Sequence, residues 1–93
     1  MTLNQGTNRL YLTDEAGIEA GEITYREEGE LFIVEHTYVF DGYNGLGLGK
    51  KLVYGMVELA RNTHRKVRPE CHYARSVLEK TPEWQDVLSR EEA

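Results

Sequence analysis

Residues 31–55 read LFIVEHTYVFDGYNGLGLGKKLVYG. Strand-forming residues run into a stretch with glycine at 42, 45, 47, 49 and 55, and an apolar period of helical spacing follows. Glycine has the most backbone freedom to lose and weakens strands and helices alike. Its concentration at a strand-to-helix junction therefore demands a physical reason. In the strand, Phe32, Val34, His36, Tyr38 and Phe40 share one face, and Leu31, Ile33, Glu35, Thr37 and Val39 share the other. Both faces are largely apolar, which places this strand inside a sheet and covered on both sides. Past the glycines, Leu48, Leu52, Val53, Met56, Val57 and Ala60 recur at helical spacing, while Lys50, Lys51, Glu58 and Arg61 fall elsewhere. The spacing predicts a helix ending near His64.

The flanking segments fix the order of elements. RLYLT at 9–13 is β-prone and stops at a turn-like DEAG; IEAGEITY at 18–25 forms a second strand, closed by REEG. With 31–40 these make an antiparallel meander. KVRP at 66–69 is long enough only for a strand, and a strand–helix–strand crossover sets it parallel to 31–40. A second helical segment covers about 73–80, and Pro82 in Thr81-Pro82-Glu83 suits the first position of another helix. The expected fold is an α/β chain of the α+β type with a mixed sheet, in the order β-β-β-α-β-α-α. At 93 residues it reads as a single domain, 1–93.

A formal net charge of -5 argues against non-specific nucleic-acid binding, which needs a basic surface. No apolar run approaches the roughly 20 residues of a membrane span, and MTLNQGTNRL has no apolar signal core. Cys71, the single cysteine, has no intrachain disulfide partner. The expectation is a cytoplasmic protein with no nucleic-acid or membrane partner, a monomer or homodimer. No Cys/His cluster has metal-ligand spacing, so no metal is expected.

A strand ending in a glycine-rich loop that opens a helix aims several free backbone N–H groups at one point. The helix dipole adds to the attraction for an anion, and glycines leave room for a phosphate to approach. Two familiar phosphate motifs fail on spacing. A glycine-lysine P-loop would need glycine at 44 and Ser or Thr at 51, where the chain has Asn44 and Lys51. A dinucleotide fingerprint begun at Gly45 and Gly47 would need glycine at 50, where Lys50 stands. The loop is then either a sharp, close-packed turn or another kind of anion cradle. Its place after an interior strand and before the longest helix favours the cradle.

Thr37-Tyr38-Val39, then Asn44-Gly45-Leu46-Gly47-Leu48-Gly49 and the helix after them, resemble motif A of the GNAT acetyltransferases, [Q/R]-x-x-G-x-[G/A]. The resemblance extends to a branch of small stand-alone GNAT-like domains that carry H-T-x-V, C-x-[YF] and P-x-[WY] in that order. Here these are His36-Thr37-Tyr38-Val39, Cys71-His72-Tyr73 and Pro82-Glu83-Trp84, and the likeness covers roughly 8–88. It implies the GNAT fold, acetyl-CoA or coenzyme A as co-substrate, and an amine acceptor. The motif-A amides, from Asn44 through Gly45, Leu46, Gly47, Leu48 and Gly49 to Lys50, would hold the pyrophosphate. Backbone donors at Tyr38 and Val39 would meet the rest of the cofactor. The chain departs from the pattern in two respects. Asn44 replaces the usual Gln or Arg, and there is no room for the two helices that follow the first strand in larger relatives, so the acceptor side is open or built by a partner chain.

The resemblance also singles out Cys71, as an acetyl-accepting nucleophile or as a thiol lining the pantetheine channel; a buried structural cysteine is the plain alternative. His36 is read as a base or an activator of Cys71, ahead of Glu35, against the alternative of a hydrogen-bonded core histidine. Tyr73 would protonate the departing thiolate or simply pack. Lys50, Lys51 and Arg75 either pair with phosphates or are solvated. His64 and His72 read as surface residues, and Trp84 as core. The sequence thus points to an acetyl-CoA-dependent N-acetyltransferase acting on a small-molecule amine or a protein lysine. The alternative is a coenzyme A-binding module with little or no turnover.

Overall fold

The computed structural model describes residues 1–89. Its strands are β1 (Thr2–Gly6), β2 (Arg9–Thr13), β3 (Glu19–Glu28), β4 (Leu31–Val39) and β5 (Lys66–Pro69). Helix α1 spans Leu48–Thr63 and α2 His72–Lys80, and a 3-10 turn at Pro82–Trp84 follows. The five strands lie side by side in chain order. β1 to β4 are antiparallel neighbours, and β5 runs parallel to β4. The mixed sheet and the crossover through α1 match the expected class.

Two details depart from the expected order. A strand, β1, precedes the first one expected, because Leu3 alone in TLNQG carries an apolar signal. Backbone pairing with β2 forms it, with Asn4 Nδ2 donating to the Tyr11 carbonyl and to Thr13 Oγ1. Pro82 does start a helical turn, but the turn closes after Trp84. The chain then returns beside β5: Val67 N–H donates to the Val87 carbonyl at 2.7 Å, and Ser89 N–H to the Val67 carbonyl at 2.8 Å.

Both helices cover the same side of the sheet. Leu52, Val53, Met56 and Val57 of α1 pack with Ile23, Tyr25, Phe32 and Val34, and Ala74 and Leu78 of α2 join that one core. The opposite side of the sheet carries no helix among the described residues. Ile33 is nevertheless buried there, flanked by Arg26 on β3 and Arg68 on β5, whose long stems shield an apolar neighbour. No described helix is long and apolar enough to cross a membrane.

The detail that matters most for the site is a bulge in β4. Tyr25 pairs with Val34, yet Thr24 pairs with His36, so Glu35 is an extra residue. A bulge resets the alternation of faces. Phe32 and Val34 face the helices, and beyond the bulge it is Thr37 and Val39 that do so, aligned with Ile23 and Gly21. His36 and Tyr38 turn to the open side, where their rings stack at 5.7 Å. The expectation that His36 and Tyr38 share a face with Phe32 and Val34 is therefore corrected.

Candidate functional site

β4 and β5 pair only from Leu31 to Val34, opposite Lys66 to Pro69. The N–H groups of Glu70 and Cys71 both converge on the Val34 carbonyl, and the chain then departs into α2. Beyond Val34 the outer edge of β4 has no strand beside it among the described residues. Phe40 N–H donates to the Ala20 carbonyl, so strand alternation turns the backbone groups of His36 and Tyr38 towards β3. The groups aimed into the gap are those of Thr37 and Val39. Of the two residues expected to offer backbone donors, Val39 has its backbone turned to the gap, whereas the Tyr38 N–H is turned to β3.

The glycine loop closes one end of this gap. Gly42, Gly45 and Gly47 have φ of 91°, 83° and 72°, a region L-residues avoid, and a Cβ on any of them would meet nothing within 4 Å. These glycines set the path of the chain and leave the space beside it clear. Gly47 is the N-cap of α1, without a side chain to cap the helix, and the first turn contains no acidic residue. The first intrahelical bond is the one from Lys51 N–H to the Gly47 carbonyl, at 3.3 Å. The N–H groups at the head of the helix, those of Leu48, Gly49 and Lys50, have no partner inside it. Lys50 and Lys51 place positive charge at the positive end of the helix dipole, which is unfavourable for the helix alone.

The resulting cleft has a volume of about 250 Å³ and is walled by Thr37, Val39, Tyr43, Asn44, Gly45, Gly47, Leu48, Gly49 and Tyr73. Tyr73, on the first turn of α2, packs so closely on Gly49 that a Cβ there would stand 2.7 Å from its hydroxyl. Leu46 is 57% exposed and does not line the cleft. Tyr43 was not among the residues singled out by sequence; an aromatic after a glycine carried no signal of the wall it forms.

Cys71 is the N-cap of α2 and half-buried, its Sγ 3.5 Å from Thr37 Oγ1. Thr37 also lines the cleft, so it links the thiol to it. His36 is on the other side of the sheet, because the bulge separates it from Thr37's face; the structure does not bring it to Cys71. Glu35 also lies on that open side, where its carboxylate accepts from Arg26 Nη1 at 3.2 Å. Arg26 further engages Glu28 and both oxygens of Glu70. The Arg26 bond holds the Glu70 carboxyl below the ordinary carboxylate value. Arg75 donates to the Pro69 carbonyl at 3.1 Å, away from the glycine loop. His64 and His72 are exposed, and Trp84 is buried with its ring near that of Tyr54. Among the described residues no three His, Cys, Asp or Glu side chains gather as metal ligands would.

Comparison with known proteins agrees with this fold. A family model described as GCN5-related N-acetyl-transferase matches residues 9–87. The solution structure of a GCN5-like protein from Staphylococcus aureus is 37% identical, covers 98% of this chain and 90% of that one, and superposes with a TM-score of 0.78. A GNAT-family acetyltransferase from S. aureus Mu50 is similar over 63% of this chain and 39% of its own, at 18% identity and a TM-score of 0.56. A GNAT-family N-acetyltransferase from Escherichia coli, solved in complex with CoA, is similar over 63% of this chain and 37% of its own, at 23% identity and a TM-score of 0.57. The last two share the fold with a chain that spans under two-fifths of their length. No curated protein matches in sequence.

Proposed function

The chain belongs to the GCN5-related N-acetyltransferases, and we propose that it binds acetyl-CoA at the glycine loop and transfers the acetyl group to an amine, borne by a small molecule or a protein lysine. The observation that carries this reading is the head of α1. It is uncapped, has no acidic residue in its first turn, bears two lysines, and stands behind a loop whose positive-φ glycines leave the approach clear. A helix start so built is electrostatically poor by itself and is completed by an anion such as a pyrophosphate. The residues present fit the group.

Bound there, acetyl-CoA would supply an acetyl group activated as a thioester. The amides from Asn44 to Lys50 hold the pyrophosphate. The outward backbone groups of Thr37 and Val39 pair with the amides of the pantetheine arm as they would with an added strand. Cys71 is the nucleophile of this proposal. Its thiol gives up a proton to solvent water, and Sγ forms a bond to the acetyl carbon as the bond to the coenzyme sulfur breaks. Tyr73, over the mouth of the cleft, returns a proton to that sulfur. The amine then takes the acetyl group from Cys71, which regains a proton.

The second reading, a coenzyme A-binding module without turnover, has an observation in its favour. Glu35 and His36, the carboxylate and imidazole of β4 nearest the gap, both face the other side of the sheet. Calorimetric titration of coenzyme A and intact-mass measurement after incubation with acetyl-CoA separate the readings. An added mass of about 42 Da, lost in Cys71→Ala while coenzyme A still binds, supports the enzyme. Binding with no adduct and no acetylated amine leaves the module. Failure to bind coenzyme A removes both.

A further inference from the structure

Tyr43 stands in the wall of the cleft, and its hydroxyl donates to Asp14 Oδ2 at 2.5 Å across 29 positions of sequence. No other side chain of residues 41–47 makes a hydrogen bond among the described residues. Asp14 is a firm anchor. Its Oδ1 accepts from the backbone N–H groups of Ala16 and Ile18, both at 2.9 Å. Its own N–H donates to the Ile18 carbonyl, and its carbonyl accepts from Gly17. One carboxylate therefore ties the hydrogen-bonded β2–β3 turn to a loop whose three positive-φ glycines give it little stiffness of its own.

We infer that Asp14 is a positioning residue for coenzyme A: through Tyr43 it holds the glycine loop in the form that binds the cofactor, a role that rests on the function proposed above. Ordering a glycine-rich loop before the ligand arrives removes an entropic cost that binding would otherwise bear. The hydrogen bond from Tyr43 holds the Asp14 carboxyl below its ordinary value, so the acceptor is charged at neutral pH and the bond is of the stronger, charge-assisted kind.

The test is calorimetric titration of coenzyme A into the wild type, Tyr43→Phe, Asp14→Asn and the double variant, with a thermal melt of each. Tyr43→Phe keeps the ring and removes only the hydroxyl, so folding is not at issue. Each single change is expected to raise Kd about fivefold, and the double variant no more than the worse single, because both remove the same charge-assisted hydrogen bond. Single variants that bind within twofold of wild type overturn the inference. So does a double variant whose loss is the product of the two single losses. A wild type that binds no coenzyme A overturns the proposed function and this inference together, whereas unchanged variants beside a binding wild type overturn the inference alone.

Discussion

The glycines of the loop differ in what a methyl group would do to them. At Gly47 there is room for a Cβ, but φ is 72°, and an L-residue there costs about 1–2 kcal/mol. Gly47→Ala should therefore lower the unfolding free energy by about 1 kcal/mol in urea titrations, with m unchanged. At Gly49 the backbone is helical and the obstacle is the Tyr73 ring, whose atoms would lie 2.7–3.0 Å from the new Cβ. Alanine is the better helix former, so the outcome turns on whether the ring yields. Gly49→Ala should be destabilising in the wild type and stabilising by about 0.5 kcal/mol in a Tyr73→Ala background. A sign that stays the same in both backgrounds would mean the ring is not the constraint. His36 belongs to the same scale. Since its ring stacks on Tyr38 on the open side of the sheet, His36→Ala should leave the coenzyme A Kd within twofold of wild type, read by the same calorimetry.

At the scale of elements, α1 ends on His64 with φ 57°, its N–H returned to the carbonyls of Ala60 and Arg61. That is the usual place for glycine after a helix. His64→Gly relieves the left-handed strain but widens the unfolded ensemble, and the net expectation is a gain of about 0.5 kcal/mol, visible as a Tm a few degrees higher. The β4–glycine–α1 unit was legible in sequence because each of its signals is local: a period of two, a cluster of glycines, then a period near 3.6. The same holds for β5, whose direction follows from the handedness of the crossover. The bulge at Glu35 was not legible. HTYV continues the alternation of LFIV without a visible break, and only the pairing of Thr24 and Tyr25 across the sheet shows the extra residue. Hence Cys71 and the glycine loop, placed by their own elements, were found together, while His36, placed by a neighbour's register, was assigned to the wrong side. Tyr43 was missed for a similar reason, since its partner Asp14 lies on a turn 29 positions away.

Across the whole molecule, several distant segments are tied by carboxylates at the surface. Asp14 meets Tyr43, Glu70 meets Arg26, and Asp86 meets Arg61 through both oxygens, linking the last described segment to α1. Each of the three carboxyls is held below its ordinary value, chiefly by that hydrogen bond. A carboxyl with a depressed value in the folded state contributes stability above its unfolded value and loses it as pH falls through the folded one. The ordinary values are 3.8 for Asp14 and Asp86 and 4.5 for Glu70, so the contributions are complete above about pH 5 and decline below it. With a pI of about 5.2 the chain is already net positive below pH 5, and the growing repulsion adds to the loss. Tm should accordingly be nearly level between pH 7 and 5 and fall with increasing steepness towards pH 3. Because these pairs are exposed, salt should weaken them, so added sodium chloride should lower the plateau more than it lowers the acid end. Asp86→Asn should start from a lower plateau and descend less on acidification, since one proton-linked tether is already gone. A parallel descent of the variant and the wild type would show that Asp86 does not couple the last described segment to the rest of the fold.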